Sequence, residues 1–94
     1  MPRTHSSFFK MLSARTRVEI LKLLHEDSSL TVDDLSLRIG VNVSTVSQHL
    51  QLLRMQGLVV FKQTAQTRYY TVNEAEIAQG IAAFLQDMDL LMTR

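Results

Sequence analysis

The sequence contains no cysteine in its 94 residues. This absence excludes disulfides, thiolate metal sites, thiol redox sensing and a cysteine nucleophile. No apolar run approaches the roughly 18 residues that a membrane-spanning helix needs. Residues 1–7 lack the apolar core of a signal peptide. We therefore expect a cytoplasmic protein without membrane contact, and we expect residues 1–7 to be flexible.

Glycine is also scarce, with three residues, and no glycine-rich phosphate loop is present. No serine, histidine and acid stand together in a nucleophile motif, so we expect neither an enzyme nor a cofactor. The length suits one domain, residues 1–94, and not two. A chain this small buries a modest fraction of its surface, which makes a dimer a natural source of additional core.

Acidic residues are missing between Leu35 and Asn73. This stretch carries four basic residues, Arg38, Arg54, Lys62 and Arg68, and residues 1–18 are likewise basic without an acid. The net charge of +1 indicates little by itself. Its uneven distribution, however, is typical of a surface that binds phosphates.

The most informative stretch is residues 42–54, which has the apolar period of an α-helix. Its apolar stripe consists of Val43, Val46, Leu50 and Leu53, and Asn42 stands in the N-cap position. The opposite face is short and uncharged, with Ser44, Thr45, Gln48 and Gln51, and with Ser47 at its edge. Such a face is either an ordinary polar surface or a set of donors and acceptors suited to base edges.

The preceding segment favours the second interpretation. Thr31 and Asp34 form a capping-box pattern that starts a helix, and Gly40 is placed to end it in a left-handed conformation. Only Val41 then separates Gly40 from the next cap. Two helices joined so tightly predict a helix-turn-helix with residues 42–54 as its recognition helix.

Residues 58–62 and 68–72 are rich in β-branched and aromatic side chains and predict the two strands of a hairpin. The tip, residues 63–67, has neither glycine nor proline, so its turn type stays open. A hairpin beside a helix-turn-helix predicts a winged helix, mainly α with a small β-hairpin. Its wing would reach phosphates or the minor groove.

A capping-box pattern from Asn73 to Glu76 opens the last helix. This helix is more apolar than one small protomer needs, so we expect it to form half of a dimer interface. The interface residues on it are Ile77, Ile81, Phe84, Leu85, Met88 and Leu91.

Three segments in order carry a resemblance to a known family. Residues 9–21 look like its opening signature, except that Arg15 stands where proline is common. Residues 44–59 look like its recognition-helix signature, and residues 68–72 look like its second wing strand. From Phe9 onward the chain resembles the ArsR-type (ArsR/SmtB) winged-helix repressors. The resemblance implies a homodimer joined through the first and last helices, which adds Phe8, Phe9 and Leu12 to the interface. It also implies a repressor of a promoter that a signal releases.

We expect a double-stranded DNA operator to be the partner, with a division of labour among the side chains. The expected base contacts are Ser44, Thr45, Ser47 and Gln48. The expected phosphate contacts are Gln51, Arg54, Lys62, Gln66 and Arg68. Two alternatives stay open: a winged helix that binds protein instead of DNA, and a non-specific architectural binder.

The sequence also bears on sensing. Family members with a thiolate site carry it on the helix before the recognition helix, but residues 33–37 here hold no cysteine. A second family site on the last helix corresponds to Glu74, Glu76, Asp87 and Leu90, which offers carboxylates but no imidazole. We therefore expect no metal site, and the effector stays open between a small molecule, a partner protein and none.

His5 and His25 have no partner nearby in sequence, whereas His49 is expected to anchor the recognition helix by packing and a hydrogen bond.

Overall fold

The computed structural model describes residues 4–92, and side chains as far as Met88. Within this range the chain forms five helices and one hairpin: α1 (His5–Leu12), α2 (Arg15–Glu26), α3 (Val32–Ile39), α4 (Val43–Met55), β1 (Val59–Thr64), β2 (Thr67–Val72) and α5 (Glu74–Met92). This order confirms the expected fold, mainly α with a small β-hairpin. None of the helices in this range is long and apolar enough to cross a membrane.

Helix α1 begins earlier than expected. Thr4 caps it, because its side-chain oxygen accepts a hydrogen bond from the backbone N–H of Ser7 at 3.0 Å. Residues 5–7 are therefore helical instead of flexible, and residues 1–3 lie outside the described part of the chain.

Helix α2 starts at Arg15, the first helical position, where proline is also favoured. This position explains why the substitution of Arg15 for the family's proline leaves the helix in place.

Helices α3 and α4 form the expected helix-turn-helix. The capping box of Thr31 and Asp34 is complete, and Gly40 ends α3 with a φ of 81°. The hydroxyl of Ser36 donates to the carbonyl of Val41 at 2.5 Å and closes the turn. Asn42 caps α4 as expected. These local bonds fix the direction in which α4 leaves α3.

The core joins helices α1 to α4 to the base of the hairpin. Its buried members are Phe8, Met11, Ile20, Leu21, Leu24, Leu30, Leu35, Val46, Leu50, Leu53, Leu58, Val59 and Tyr70. Val43, a member of the apolar stripe of residues 42–54, is 42% exposed, and Val18 on α2 is 44% exposed. Val18 lies about 100° around the helix from the neighbouring core-facing Arg17, and Val43 is the first residue of its helix, beside solvent.

The hairpin turn is shorter than the five residues expected from the sequence. Thr64 pairs with Thr67, so only Ala65 and Gln66 form the turn. Ala65 adopts a φ of 55°, the left-handed conformation that two-residue hairpins require and that alanine rarely adopts. The resulting register pairs Gln63 with Arg68.

The register decides which side chains share a face of the hairpin, because cross-strand partners point the same way and neighbours alternate. Phe61 pairs with Tyr70 and lies on the face that carries Arg68. Lys62 pairs with Tyr69 and lies on the other face. The two wing cations therefore point to opposite sides.

Helix α5 is connected to the hairpin and to α1. The backbone N–H of Glu76 donates to the side chain of Asn73 at 3.4 Å, which is one half of the expected capping box. The N–H of Asn73 donates to the carbonyl of Leu58 at 2.9 Å and so continues the hairpin pairing. Further along, Gly80 lies directly against the buried ring of Phe8.

The contact between Gly80 and Phe8 gives the first prediction. A Cβ at position 80 would lie 2.4 Å from Phe8 Cε1, closer than real Cβ atoms come to another atom. Alanine would gain about 1 kcal/mol of helix propensity, but overpacking costs roughly 1–3 kcal/mol. We expect Gly80→Ala to lower the free energy of unfolding, measured by urea denaturation.

Two variants make this result interpretable. Ala78→Gly, at an exposed site of the same helix, measures the helix propensity alone. Phe8→Leu replaces the ring that would collide with a smaller side chain, so it should make Gly80→Ala less harmful than in the parent protein. A stabilised Gly80→Ala protein would contradict the close packing of α1 on α5.

Candidate nucleic-acid interface

The exposed face of α4 changes character along its length. At 100° per residue, Ser44, Gln48 and Gln51 fall on one outward line, and all three are exposed. Ser47 is exposed beside them, whereas Thr45 is half-buried. In the last turn the face becomes apolar, with Met55 73% exposed and Leu52 42% exposed. The polar surface therefore covers the N-terminal turns, which is the part of a recognition helix that meets base edges.

The N-cap of α4 determines how Ser44 can act. The Oδ1 atom of Asn42 accepts from the backbone N–H of Thr45 at 2.8 Å and from the hydroxyl of Ser44 at 3.0 Å. Because the Ser44 proton is used within the protein, its oxygen is left as an acceptor. Ser44 is therefore suited to a base amino group.

The cations around α4 divide into two groups. The guanidinium carbon of Arg54 lies 4.8 Å from the ring centroid of Phe61, and that of Arg68 lies 4.3 Å from the same centroid. Such cation–π contacts contribute roughly 0.5–1 kcal/mol each at exposed sites. Lys62 is exposed on the other face of the hairpin, and Gln66 is exposed in its turn.

A buried arginine connects α4 to the N-terminal helices. Arg17 Nε donates to the carbonyl of Met11 at 2.9 Å, and Nη2 donates to the carbonyl of Lys10 at 3.1 Å. Its Nη1 lies 3.2 Å from His49 Nδ1. Since a guanidinium only donates, the His49 Nδ1 atom accepts and the imidazole is neutral. Burial lowers the pKa of His49 from its ordinary value of 6.5, and the charge of Arg17 lowers it further. This contact is the anchoring hydrogen bond expected for His49.

Comparison with known proteins agrees with this geometry. Residues 15–60 match the family model described as bacterial regulatory protein, arsR family. The transcriptional activator HlyU of Vibrio cholerae is 40% identical over 72% of this chain and 62% of its own length. The cadmium resistance transcriptional regulatory protein CadC homolog of Staphylococcus aureus is 30% identical over 95% of this chain and 74% of its own length. The ArsR-like transcriptional regulator from Rhodococcus sp. RHA1 superimposes with a TM-score of 0.80 at 28% identity, over 96% of this chain and 83% of that one.

The chain belongs to the ArsR family. It is therefore a DNA-binding transcriptional regulator with a winged helix-turn-helix fold, as the sequence motifs predicted. The family consists of regulators and not of enzymes, which confirms the expectation that the chain is not an enzyme.

The residues expected at an ArsR-type dimer interface have different surroundings in the protomer. Phe8 is only 1% exposed and lies in the protomer's own core, so it has no surface to offer a partner. Phe9 packs edge-on against Phe84, with ring centroids 5.0 Å apart. Leu85 and Ile81 are exposed, at 56% and 42%. Half-buried residues complete the set: Leu12, Ile77, Phe84 and Met88. The Leu91 side chain lies outside the described residues.

Two of the three carboxylates considered as metal ligands have histidine partners. His25 Nδ1 donates to Glu74 at 2.7 Å, and His5 Nε2 donates to Asp87 at 2.5 Å. In the part of the chain that the structure describes, no three histidine or acidic side chains come together as metal ligands. The sequence shows no partner close to His5 or His25 because their partners are 82 and 49 residues away along the chain.

Proposed function

We propose that the chain is a homodimeric repressor that binds an inverted-repeat operator. The observation that carries this proposal is the exposed, uncharged N-terminal face of α4, bordered by Arg54 and Arg68. Such an arrangement supports base reading by the helix and phosphate binding around it. Twofold symmetry then requires half-sites about 10 bp apart, or a multiple of that distance.

The proposal assigns each expected contact to a position on α4 or on the wing. Ser44, Ser47 and Gln48 read bases from the exposed turns of α4, and Gln48 pairs with adenine through its amide. Thr45, being half-buried, contributes at the edge of this surface. Gln51 and Arg54 bind phosphates at the following turns. On the wing, Arg68, Lys62 and Gln66 bind the neighbouring backbone.

The dimer is supported by the apolar surface of α1 and α5. Phe9, Ile81 and Leu85 are large, exposed and apolar, and the ring contact between Phe9 and Phe84 joins the two helices into one surface. Burial of apolar surface is favourable by about 25 cal/mol per Å². A second protomer can bury this surface against its own copy of the same surface, because a twofold interface is complementary to itself.

The regulatory signal is proposed to differ from thiolate metal sensing. A chain without cysteine has no thiolate ligand for the ions that such sites hold. The relatives are named for different roles. HlyU is named a transcriptional activator, whereas the CadC homolog is named a cadmium resistance transcriptional regulatory protein. We propose repression in the cytoplasm, and the effector stays open between a small molecule, a partner protein and none.

A comparison of Gln48→Ala with Lys62→Ala tests base reading. A lost bidentate pair costs roughly 1–3 kcal/mol on the true operator and little on scrambled duplex. A lost phosphate contact weakens both duplexes alike and lowers the salt slope by about one. The measurement is affinity of each dimer for operator and scrambled duplex at two salt concentrations.

The two open alternatives give different results in the same experiment. An architectural binder would bind both duplexes equally, and a module that binds only protein would bind neither. If Gln48→Ala weakened both duplexes as Lys62→Ala does, α4 would not be reading bases.

A further inference from the structure

Three side chains connect the recognition helix to both strands of the wing. Arg54 belongs to α4, Phe61 to β1 and Arg68 to β2, and both guanidinium groups lie against the one ring. The ring itself is held, because Phe61 is half-buried and contacts Tyr70 with ring centroids 5.5 Å apart. We name this group the arginine stack.

Neither charge of the arginine stack is held in a direct ion pair within the described residues, although Glu76 lines the same hollow as Arg54 and Phe61. The two centroid distances place the guanidinium carbons at most about 9 Å apart, comparable with the Debye length of roughly 8 Å at physiological salt. Among the described residues, neither arginine makes an ion pair with a carboxylate. Two like charges held near one another and not ion-paired to a carboxylate attract an anion, because the anion relieves their repulsion.

The chemistry of arginine indicates which anion fits. A guanidinium that rests on a ring keeps N–H groups for hydrogen bonds, and it binds phosphate oxygens in a bidentate manner. The ring restrains two long side chains in advance, so less conformational entropy is lost when they bind. The sugar–phosphate backbone beside α4 has the required charge and shape.

We propose that Phe61 is a positioning residue that holds Arg54 and Arg68 as one clamp on the DNA backbone. Through this clamp the recognition helix and the wing engage phosphates together. The inference rests on the proposed function, in which α4 lies in the groove. It gives Phe61 a role in DNA binding although its own ring contacts no DNA.

Substitution of the ring tests the clamp. Phe61→Leu retains an apolar side chain but removes the aromatic face, whereas Phe61→Tyr retains that face. We expect Phe61→Leu to weaken binding to operator and scrambled duplex alike, by roughly tenfold, with a smaller salt slope. Phe61→Tyr should stay within about twofold of the parent. Equal affinities for Phe61→Leu and the parent would overturn the inference.

A double-mutant cycle tests whether the arginines act as a unit. If they form one clamp, Arg54→Ala and Arg68→Ala together should weaken binding less than the product of the single effects. Single effects that multiply would show independent contacts and overturn the inference. The cycle leaves Phe61 unchanged, so it decides the question even if Phe61→Leu fails to fold.

Proton NMR of the free dimer gives a readout that DNA binding does not influence. The δ-methylene protons of both arginines should be shifted upfield by the ring in the parent and in Phe61→Tyr, but not in Phe61→Leu. Unshifted protons in the parent would contradict the stack. Failure of the proposed function would look different, since the parent itself would then show no preference for operator over scrambled duplex.

Discussion

Glutamate in place of Leu85 is expected to convert the proposed dimer to monomers and to weaken operator binding by roughly 10²–10⁴-fold. Leu85 is 56% exposed on the apolar side of α5 that includes Ile81 and Phe84. A carboxylate there has to be desolvated within an apolar interface, and twofold symmetry doubles the charge. A monomer then binds one half-site only, and it loses the effective concentration at which a dimer presents its second protomer to the second half-site. Sedimentation and operator affinity measure the two effects.

Gln86→Glu is the matched control for this substitution. Gln86 neighbours Leu85, introduces the same charge when replaced, and lies about 100° further around the helix on an exposed position. We expect Gln86→Glu to stay dimeric. The interface would be placed elsewhere if Leu85→Glu also stayed dimeric, or if both variants dissociated equally.

The helix-turn-helix could be predicted because its signals are local. Thr31 and Asp34 cap one another three residues apart, Gly40 supplies the left-handed residue, and Asn42 caps the next helix. Each bond joins residues within one turn, so the chain shows them without knowledge of the tertiary structure. The same locality explains why the exposed polar face of α4 could be assigned in advance.

The wing was predictable as a hairpin but not in its register. Ala65 takes a left-handed conformation that its side chain does not favour, so no residue type marks the two-residue turn. The register pairs Gln63 with Arg68 and thereby brings Arg68 to the face of Phe61. The arginine stack depends on that pairing and on the packing of α4, neither of which the residue pattern contains.

Long-range polar contacts were missed for a similar reason. His5 and His25 pair with carboxylates on α5, and Arg17 reaches both α1 and α4. The only sequence signal at Arg17 was its place in the period of α2, on the same face as Ile20, Leu21 and Leu24. A charged residue on an apolar face suggests a buried network, but its partners follow only from the fold.

Methionine in place of Arg17 is expected to lower the free energy of unfolding by about 3 kcal/mol. The substitution keeps a long apolar side chain but leaves the Met11 carbonyl and His49 Nδ1 without their donor. Each unsatisfied buried group costs roughly 1–3 kcal/mol. The Lys10 carbonyl retains two donors from Ser13, its N–H and its hydroxyl, and contributes little to the loss. Urea denaturation of the variant and the parent provides the measurement.

Two further variants separate the hydrogen bonds from charge. Arg15→Met removes the same charge from a side chain that is 94% exposed, so it should change stability by less than about 0.5 kcal/mol. Arg17→Lys keeps the charge, but one ammonium lacks the forked geometry that reaches three acceptors. Its stability should fall between those of the parent and Arg17→Met. If Arg15→Met and Arg17→Met were equally stable, the hydrogen bonds of Arg17 would not support the fold.

The same contact predicts a pH dependence that identifies His49 as its acceptor. The pKa of His49 is lowered in the folded protein, first by burial and then by Arg17, so below pH 6.5 the unfolded chain binds the proton more readily. Stability therefore falls as the pH drops below 6.5. His49→Asn removes this titration but keeps an oxygen near the position of Nδ1, so its stability should fall less over the same range. Parallel pH profiles for the parent and His49→Asn would show that Arg17 holds α1 alone and does not connect it to the recognition helix through a neutral histidine.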